Sequence, residues 1–421
     1  MCTFVIASDS GINNHKHLLK VSERGGPDFT RKTYYEGCTA VHNLLHLTGE
    51  KTTQPFIVAG MHYFLMGEVY NWDRENCLSE LHFISVLHRK YGDQFIDHIE
   101  GEFLIIIINN HAQEFQIDFY TDPWSTRQLY FSPSWCFSTL PSKNSTRLLH
   151  NRKYKWKDNQ LHDLGKIYEW DLNQHKDNLG DITVALENAI VSRWHEKAVL
   201  LLSGGVDSSA IAACLQDHNL STKILHFNFG KVEDITSLKQ VVEYCNIHDF
   251  VELEIGEMPP EETLYKSVAK YVRALGYRVI LSGNDIDGVC ENYRNKPRVI
   301  SENFEEIRNS PRTKNQFKKF PEDLTTIFPW FHFEENNVRK ICDNWETSFL
   351  YHGVEGRNCF LDKRLIQEFL WLTPKLKNKR YKHFIKDYLE NRNLQLPSKR
   401  VGFRAHANQF LRLEASGGVY R

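Results

Sequence analysis

The sequence has no Cys-x-x-Cys pair, and its nine cysteines are an odd number. That leaves neither a closed disulfide framework nor the ligand spacing of a structural zinc site. It points to a reducing, cytoplasmic setting in which most of these thiols are small core residues. Charge of one sign is missing too: 52 Lys and Arg against 53 Asp and Glu leave a net charge of -1. Without a broad positive field, nucleic acid and anionic membranes are poor partners. No apolar run is longer than Phe103–Ile108, far short of the ~20 residues a membrane-spanning helix needs. No basic region followed by a long apolar stretch opens the chain, so no secretory signal is expected. Internal repeats and low-complexity tracts are absent.

What is present is a chain of 421 residues, 41% hydrophobic and 25% charged. That composition predicts a globular fold, and the length is too great for one ordinary core. Residues 1–175 read as β-rich. Phe103–Ile108 has the β-branched texture of a buried strand, Phe115–Tyr120 and Gln128–Phe131 also read as strands, and Leu78–Tyr91 has helical spacing. Residues 142–163 hold Lys143, Arg147, Arg152, Lys153, Lys155 and Lys157, which predicts an irregular, solvated segment. From about residue 178, helices (Ile182–Trp194, Asp207–Leu215, Leu238–Cys245, Tyr265–Leu275) alternate with short apolar strands (Ala198–Leu202, Lys223–Phe227, Phe250–Ile255, Arg278–Leu281). Such alternation implies a parallel sheet with helices on both faces. After residue 325 the pattern is mostly helical, to about residue 391.

The strongest motif, Leu202-Ser203-Gly204-Gly205-Val206-Asp207-Ser208-Ser209, lies between an apolar strand and an amphipathic helix. Two glycines let the backbone approach an anion closely. The helix N-terminus and the hydroxyls of Ser203, Ser208 and Ser209 supply donors suited to a pyrophosphate. Asp207 would repel phosphate unless Mg²⁺ lay between them, which makes it a candidate metal ligand. A tight strand–helix turn without a ligand has no need of three hydroxyls and a carboxylate. A second cluster, Ser282-Gly283-Asn284-Asp285-Ile286-Asp287, also follows an apolar strand. Parallel strands deliver ligands beyond their carboxyl ends, so both loops should face one crevice, with Ser282 and Gly283 on the nucleotide and Asp287 as the second metal ligand.

The first loop resembles the pyrophosphatase loop of the asparagine synthetase family, and the loop ending at Asp287 resembles that family's second ATP loop. Gly353-Val354-Glu355-Gly356-Arg357-Asn358-Cys359-Phe360-Leu361-Asp362 is similar to its G-V-E-A-R-x-P-F-L-D segment. There Glu355, Arg357 and Asp362 are expected to form a structural ion-pair network. Lys382-x-x-Ile385-Lys386 is similar to K-x-x-L-R. In the amino-terminal half, Arg24-Gly25-Gly26-Pro27-Asp28, Gln54-Pro55, Gly67-Glu68-Val69-Tyr70-Asn71, and Asp122 with Arg127, Leu129 and Tyr130 resemble the family's glutaminase domain.

The resemblance implies an α/β protein with two domains. Residues 1–175 would form an Ntn-hydrolase-like αββα sandwich of the glutamine amidotransferase type 2 kind. Residues 176–421 would form an adenine-nucleotide α-hydrolase-like parallel sheet with a helical tail. It implies an AMP-forming, ATP-dependent carbon–nitrogen ligase: a carboxylate is adenylated with release of pyrophosphate, and an amine or ammonia then expels AMP. ATP and Mg²⁺ would be required, a carboxylate (amino acid or peptide) and an amine would be the substrates, and a homodimer is compatible. Lys382, with Lys399 or Arg400 from a segment similar to R-x-K-x-G-F, would stabilise phosphate charge. Asp285 and Glu346 are the candidate proton acceptors.

Removal of Met1 would leave Cys2 as the amino-terminal nucleophile, its own α-amino group serving as base. Of the oxyanion donors, the Gly67 N–H is retained, but Met66 stands where the family has an asparagine, and a thioether donates no hydrogen bond. Asn43 stands at the position of the arginine that clamps the glutamine carboxylate, and Glu80 at that of the aspartate that reads its α-amino group. The expectation is an impaired glutaminase, as in the lasso-peptide cyclases and β-lactam synthetases, whose nucleophile is an amine of the substrate. Two alternatives stand beside it. One is a working glutamine-hydrolysing asparagine synthetase in which His42, Asn43 or His46 substitutes. The other is an ATP-binding regulator without turnover.

Overall fold

The computed structural model describes residues 2–110, 115–228, 236–246, 250–254, 261–284, 286–290, 319–330, 333 and 345–395. Asp285, Lys399 and Arg400 lie outside them. The chain divides into two compact units: Met1–Glu169 with Tyr265–Arg278 and Cys342–Gly356, and Trp170–Leu264 with Val279–Ile341 and Arg357–Arg421.

The first unit holds two six-stranded antiparallel sheets. One contains β1 (Thr3–Ser8), β2 (Phe29–Tyr35), β3 (Cys38–Leu44), β8 (Tyr130–Ser132), β9 (Cys136–Ser138) and β10 (Thr146–Arg147), in the order β10-β8-β9-β1-β3-β2. The other contains β4 (Phe56–Val58), β5 (Met61–Val69), β6 (Gly101–Asn109), β7 (Gln116–Thr121), β11 (Arg152–Lys157) and β12 (Gln160–Lys166), in the order β12-β11-β7-β6-β5-β4. Strand β6 shows why Phe103–Ile108 is apolar throughout. Successive side chains point to opposite faces: Leu104, Ile106 and Ile108 join Phe4, Ile6 and Phe64 in the core between the sheets. Phe103, Ile105 and Ile107 pack instead with Leu81 and Ile84 of the helix Glu80–Tyr91. The helix Lys16–Gly25 lends Leu18 to the outer face of the other sheet, against Val5 and Ala7. The layers are therefore α, β, β, α, as expected. Ser79 opens the helix Glu80–Tyr91 by accepting from the His82 N–H at 3.3 Å, and Gly92, at φ 57°, ends it.

Residues 142–163 correct the sequence reading, because they are largely strand. Along Lys153-Tyr154-Lys155-Trp156-Lys157 the character alternates with period two. Tyr154 and Trp156 enter the inter-sheet core, while Lys153 and Lys155 lie 3.8 and 3.7 Å from Asp118. The dense charge concealed one apolar face of a strand.

The second unit carries β13 (Ala198–Leu201), β14 (Lys223–Asn228), β15 (Phe250–Glu254) and β16 (Val279–Ser282), in the order β15-β14-β13-β16, and the last two residues of β17 (Glu355–Asn358). β13 runs parallel to both β14 and β16, and β14 parallel to β15. Helices Gly180–Arg193, Val206–Asp217, Thr236–Tyr244, Lys363–Trp371, Pro374–Lys379 and His383–Glu390 belong to the same unit. Mixed α/β class, antiparallel sheets first and a parallel sheet after, is what the sequence predicted. No helix among the described residues is long and apolar enough to cross a membrane.

Candidate functional site

Strand β13 ends at Leu201, and the helix Val206–Asp217 starts five residues later. In the turn between them, Gly204 has φ 75°, and a Cβ there would come within 3.1 Å of Leu238 Cβ. Only glycine meets both conditions. The serines fasten this turn. Ser208 Oγ accepts from the Ser203 N–H at 3.1 Å and lies 3.1 Å from Ser203 Oγ, which accepts from the Gly205 N–H at 3.2 Å. Two of the three predicted hydroxyl donors thus hold the loop itself. The Leu202 N–H donates to Leu225 O, and its carbonyl lies 2.8 Å from His226 Nδ1. Ser209 is buried in the first helical turn, its N–H bonded to Gly205 O.

Strand β16 lies directly beside β13, with Ala198 opposite Val279 and Leu200 opposite Leu281. Parallel pairing brings both following loops to one end of the sheet. The Ser282 hydroxyl accepts from the Asn284 N–H at 3.1 Å. A Cβ on Gly283 would sit 2.9 Å from Asp207 Cβ and 3.2 Å from Phe360 Cε2. The missing side chain is therefore what lets the two loops touch. Asp287 stands in the short helix Ile286–Val289. Lys382 Nζ lies 2.5 Å from Asp207 Oδ2 and 2.7 Å from Asp287 Oδ1. Burial opposes charge on Lys382, yet the two carboxylates outweigh it and hold the ammonium well above the ordinary lysine range. Tyr381 donates its hydroxyl to Asp287. Burial, and then the Asp287 charge, push that phenol upward. The sequence pattern marked Lys382 but nothing marked Tyr381, whose one signal was its place beside that lysine.

The donor chemistry fits Mg²⁺. Two carboxylates about one cationic nitrogen are hard oxygen ligands, each about a quarter exposed at 24% and 28%. Mg²⁺ is commonly held by one or two carboxylates together with phosphate oxygens. Among the described residues no group of three or more His, Cys, Asp or Glu is placed to hold a metal, so phosphate and water would complete the shell.

Asp362 and Arg357 both make internal contacts with Arg193. Asp362 pairs with the buried Arg193 at 3.0 Å and caps the helix Lys363–Trp371 through the Arg364 and Leu365 N–H groups. Arg357 donates to the Arg193 carbonyl.

Glu355 and Glu346 belong to the first unit. There Arg127, fully buried, donates to Glu346 and lies 3.6 Å from Glu102 and 4.0 Å from Glu355. Burial, together with Glu102 and Glu355, raises the Glu346 carboxyl to about 8 against the pull of Arg127. Asp122 is a hub for buried N–H groups, accepting from Phe103, Trp124 and Thr126. A cavity of about 10 Å³, room for about one water, is bounded by Met66, Arg127, Thr139 and Glu346.

Cys2 is 7% exposed, and Leu45 N–H points at its sulfur at 3.4 Å. Burial pushes this thiol up to about 12. Asn43 spends its amide internally, donating to Thr3 and Ser22 Oγ and accepting from Thr30. Burial drives His42 down to about 3. Glu80 accepts from the Val69 N–H at 2.5 Å. Gly67 has φ 107°, and a Cβ there would strike Glu102 O at 1.9 Å.

Residues 181–326 match the family model described as asparagine synthase. The chain is 21% identical over 430 residues to asparagine synthetase [glutamine-hydrolyzing] 2 of Oryza sativa subsp. japonica, covering 88% of this chain and 68% of that protein. It is 23% identical over 433 residues to a probable asparagine synthetase [glutamine-hydrolyzing] of Dictyostelium discoideum, covering 85% and 73%. Against asparagine synthetase [glutamine-hydrolyzing] 1 of Arabidopsis thaliana the identity is 22% over 372 residues, covering 74% of this chain and 58% of that protein. The family model spans both loops at the ends of β13 and β16, and the pairwise likeness runs through both halves of the chain, so the chain is similar to the asparagine synthetase family over most of its length.

Proposed function

We propose that this chain is an ATP-dependent amide ligase that adenylates a carboxylate, releases pyrophosphate and passes the acyl group to an amine with release of AMP. The observation that carries this reading is the meeting of Asp207 and Asp287 on Lys382, at the ends of two adjacent parallel strands. In this reading residues 1–175 are the amidotransferase-like domain and 176–421 the ATP-pyrophosphatase domain. The glycine-rich turn and the helix N-terminus receive the pyrophosphate, and Ser282 and Gly283 line the nucleotide. Asp207 and Asp287 hold Mg²⁺, which when bound neutralises phosphate charge. Lys382, with Lys399 or Arg400, supplies further positive charge. Asp285 and Glu346 are the proposed proton acceptors. The expected setting is cytoplasmic.

The glutaminase half is proposed to be weak or silent, so that the amine comes from the substrate itself, as in a macrolactam or lasso-type closure. Met66 offers no donor to an oxyanion, and the Asn43 amide is already committed. The second reading, a working glutamine-hydrolysing asparagine synthetase, draws on the presence of Cys2 and on the printed names of the plant and Dictyostelium relatives. Two assays test these readings. Carboxylate-dependent ATP–pyrophosphate exchange, screened over aspartate, other amino acids and short peptides, should appear in the wild type and vanish in Asp207→Asn. Glutamate release from glutamine should be negligible in both the wild type and Cys2→Ala; robust Cys2-dependent release would establish the second reading instead.

A further inference from the structure

We infer that Lys382 is a built-in counter-ion that competes with the divalent cation for Asp207 and Asp287, so that metal and nucleotide bind together far better than metal alone. The inference rests on the reading of those two aspartates as Mg²⁺ ligands. It begins from geometry: one ammonium lies 2.5 and 2.7 Å from two carboxylates that come from different loops. The lysine side chain is 3% exposed, so the contacts are shielded from solvent and little screened by salt. The backbone at Lys382 is left-handed, φ 53° and ψ 44°, at the N-cap of the helix His383–Glu390. A residue with a side chain takes that conformation at a cost and keeps it only where its surroundings demand it. Here the ion pairs supply the demand. Tyr381 braces Asp287 from the neighbouring position.

A cation entering between these carboxylates meets an ammonium already in contact with both. If metal enters alone, Lys382 loses two anionic partners and gains none, leaving a buried charge uncompensated. If metal arrives with a triphosphate, the phosphate oxygens give the ammonium new partners, and the exchange becomes balanced. Lys382 thus acts as a positioning residue before it acts on phosphate: it keeps the two aspartates together, and it makes metal binding conditional on nucleotide.

The test is calorimetric titration of the full-length protein with Mg²⁺, with and without a non-hydrolysable ATP analogue, the binding of Mg²⁺ to the analogue alone being measured in a protein-free titration and subtracted. Wild type should bind Mg²⁺ weakly alone and much more tightly with the analogue. Lys382→Met should bind Mg²⁺ alone roughly tenfold or more tightly than wild type, since close charge pairs couple by at least that factor. The gain from the analogue should shrink in that variant. Lys382→Gln retains a polar side chain to hold the carboxylates and should behave like Lys382→Met, which covers the case in which methionine prevents folding. Lys382→Arg, which keeps the charge, should remain weak. Equal or weaker Mg²⁺ binding in the charge-removing variants would overturn the inference. Mg²⁺ binding that survives Asp207→Asn in the presence of the analogue would instead defeat the underlying metal-site reading, so the two failures are distinguishable.

Discussion

Gly283→Ala is the sharpest perturbation of the proposed nucleotide site. The added methyl would lie 2.9 Å from Asp207 Cβ, 3.2 Å from the Asp207 carbonyl carbon and 3.2 Å from Phe360 Cε2. Ordinary carbon–carbon contact is about 3.5–4.0 Å, so roughly half an ångström or more must be recovered. Phe360 can give by turning its ring, but Asp207 is met at backbone and Cβ, in the first turn of the helix Val206–Asp217, and cannot swing clear without shifting the helix start. Overpacking of this kind costs about 1–3 kcal/mol of stability. The greater effect should be on chemistry, because misplacing a catalytic group by about 1 Å costs on the order of 10²-fold in rate. The assay is carboxylate-dependent ATP–pyrophosphate exchange, with kcat and the KM for Mg–ATP measured separately, alongside urea denaturation. Gly276→Ala is the control. Gly276 has φ 87° but no atom within 4 Å of an added Cβ, so alanine there strains the backbone by about 1–3 kcal/mol without crowding any site. Gly283→Ala should lose about two orders of magnitude in exchange rate, and Gly276→Ala should lose little. If Gly283→Ala retains exchange within about threefold of wild type, then the closeness of Asp207 and Gly283 has no part in catalysis, and the assignment of Asp207 fails with it.

Three further outcomes are expected. The Glu346 carboxyl stands at about 8 in the folded chain, above the ordinary 4.5; a carboxyl raised by folding stabilises the protein below its unfolded value, and that stability is lost as pH rises from about 4.5 through 8. Glu346→Gln should therefore show a flatter decline in denaturation midpoint across that window than wild type, and an unchanged slope would remove the raised Glu346 from the account. Trp156→Ala should cost about 3–5 kcal/mol by emptying part of the inter-sheet core, whereas Lys155→Ala should cost less than about 1 kcal/mol; chemical denaturation compares the two, and similar losses would contradict the alternation along β11. Asp362→Ala removes a helix cap and the carboxylate paired with Arg193, which is 1% exposed and keeps its bonds to the Ala189 and Leu361 carbonyls. A loss of about 3 kcal/mol or more is expected in the same measurement, and a loss below about 1 kcal/mol would show that Arg193 finds other partners.

The elements legible beforehand were those whose cause is local. The glycine-rich loop after β13 could be read because strand, glycine turn and helix are consecutive, and each residue type answers a requirement set within a few positions. Strand β6 was legible from six apolar residues, although the reason, burial on both faces, needed the second sheet and the helix Glu80–Tyr91. The strands within 142–163 were missed because net charge was weighed ahead of the period-two placing of Tyr154 and Trp156. Resemblance supplied Lys382, while Tyr381 came from the structure alone.

By itself the sequence determined the class of fold and the place of the two loops that follow β13 and β16. These follow from residue types and from spacings of a few residues, over which backbone geometry leaves little freedom. Tertiary structure alone decided the pairings. Asp207 meets a lysine 175 residues away, and Glu346 meets Arg127 across 219. Such contacts are set by which strands lie side by side and how the helices cover them, and no local pattern encodes the partner of a charge that is neutralised only when the chain has closed around it.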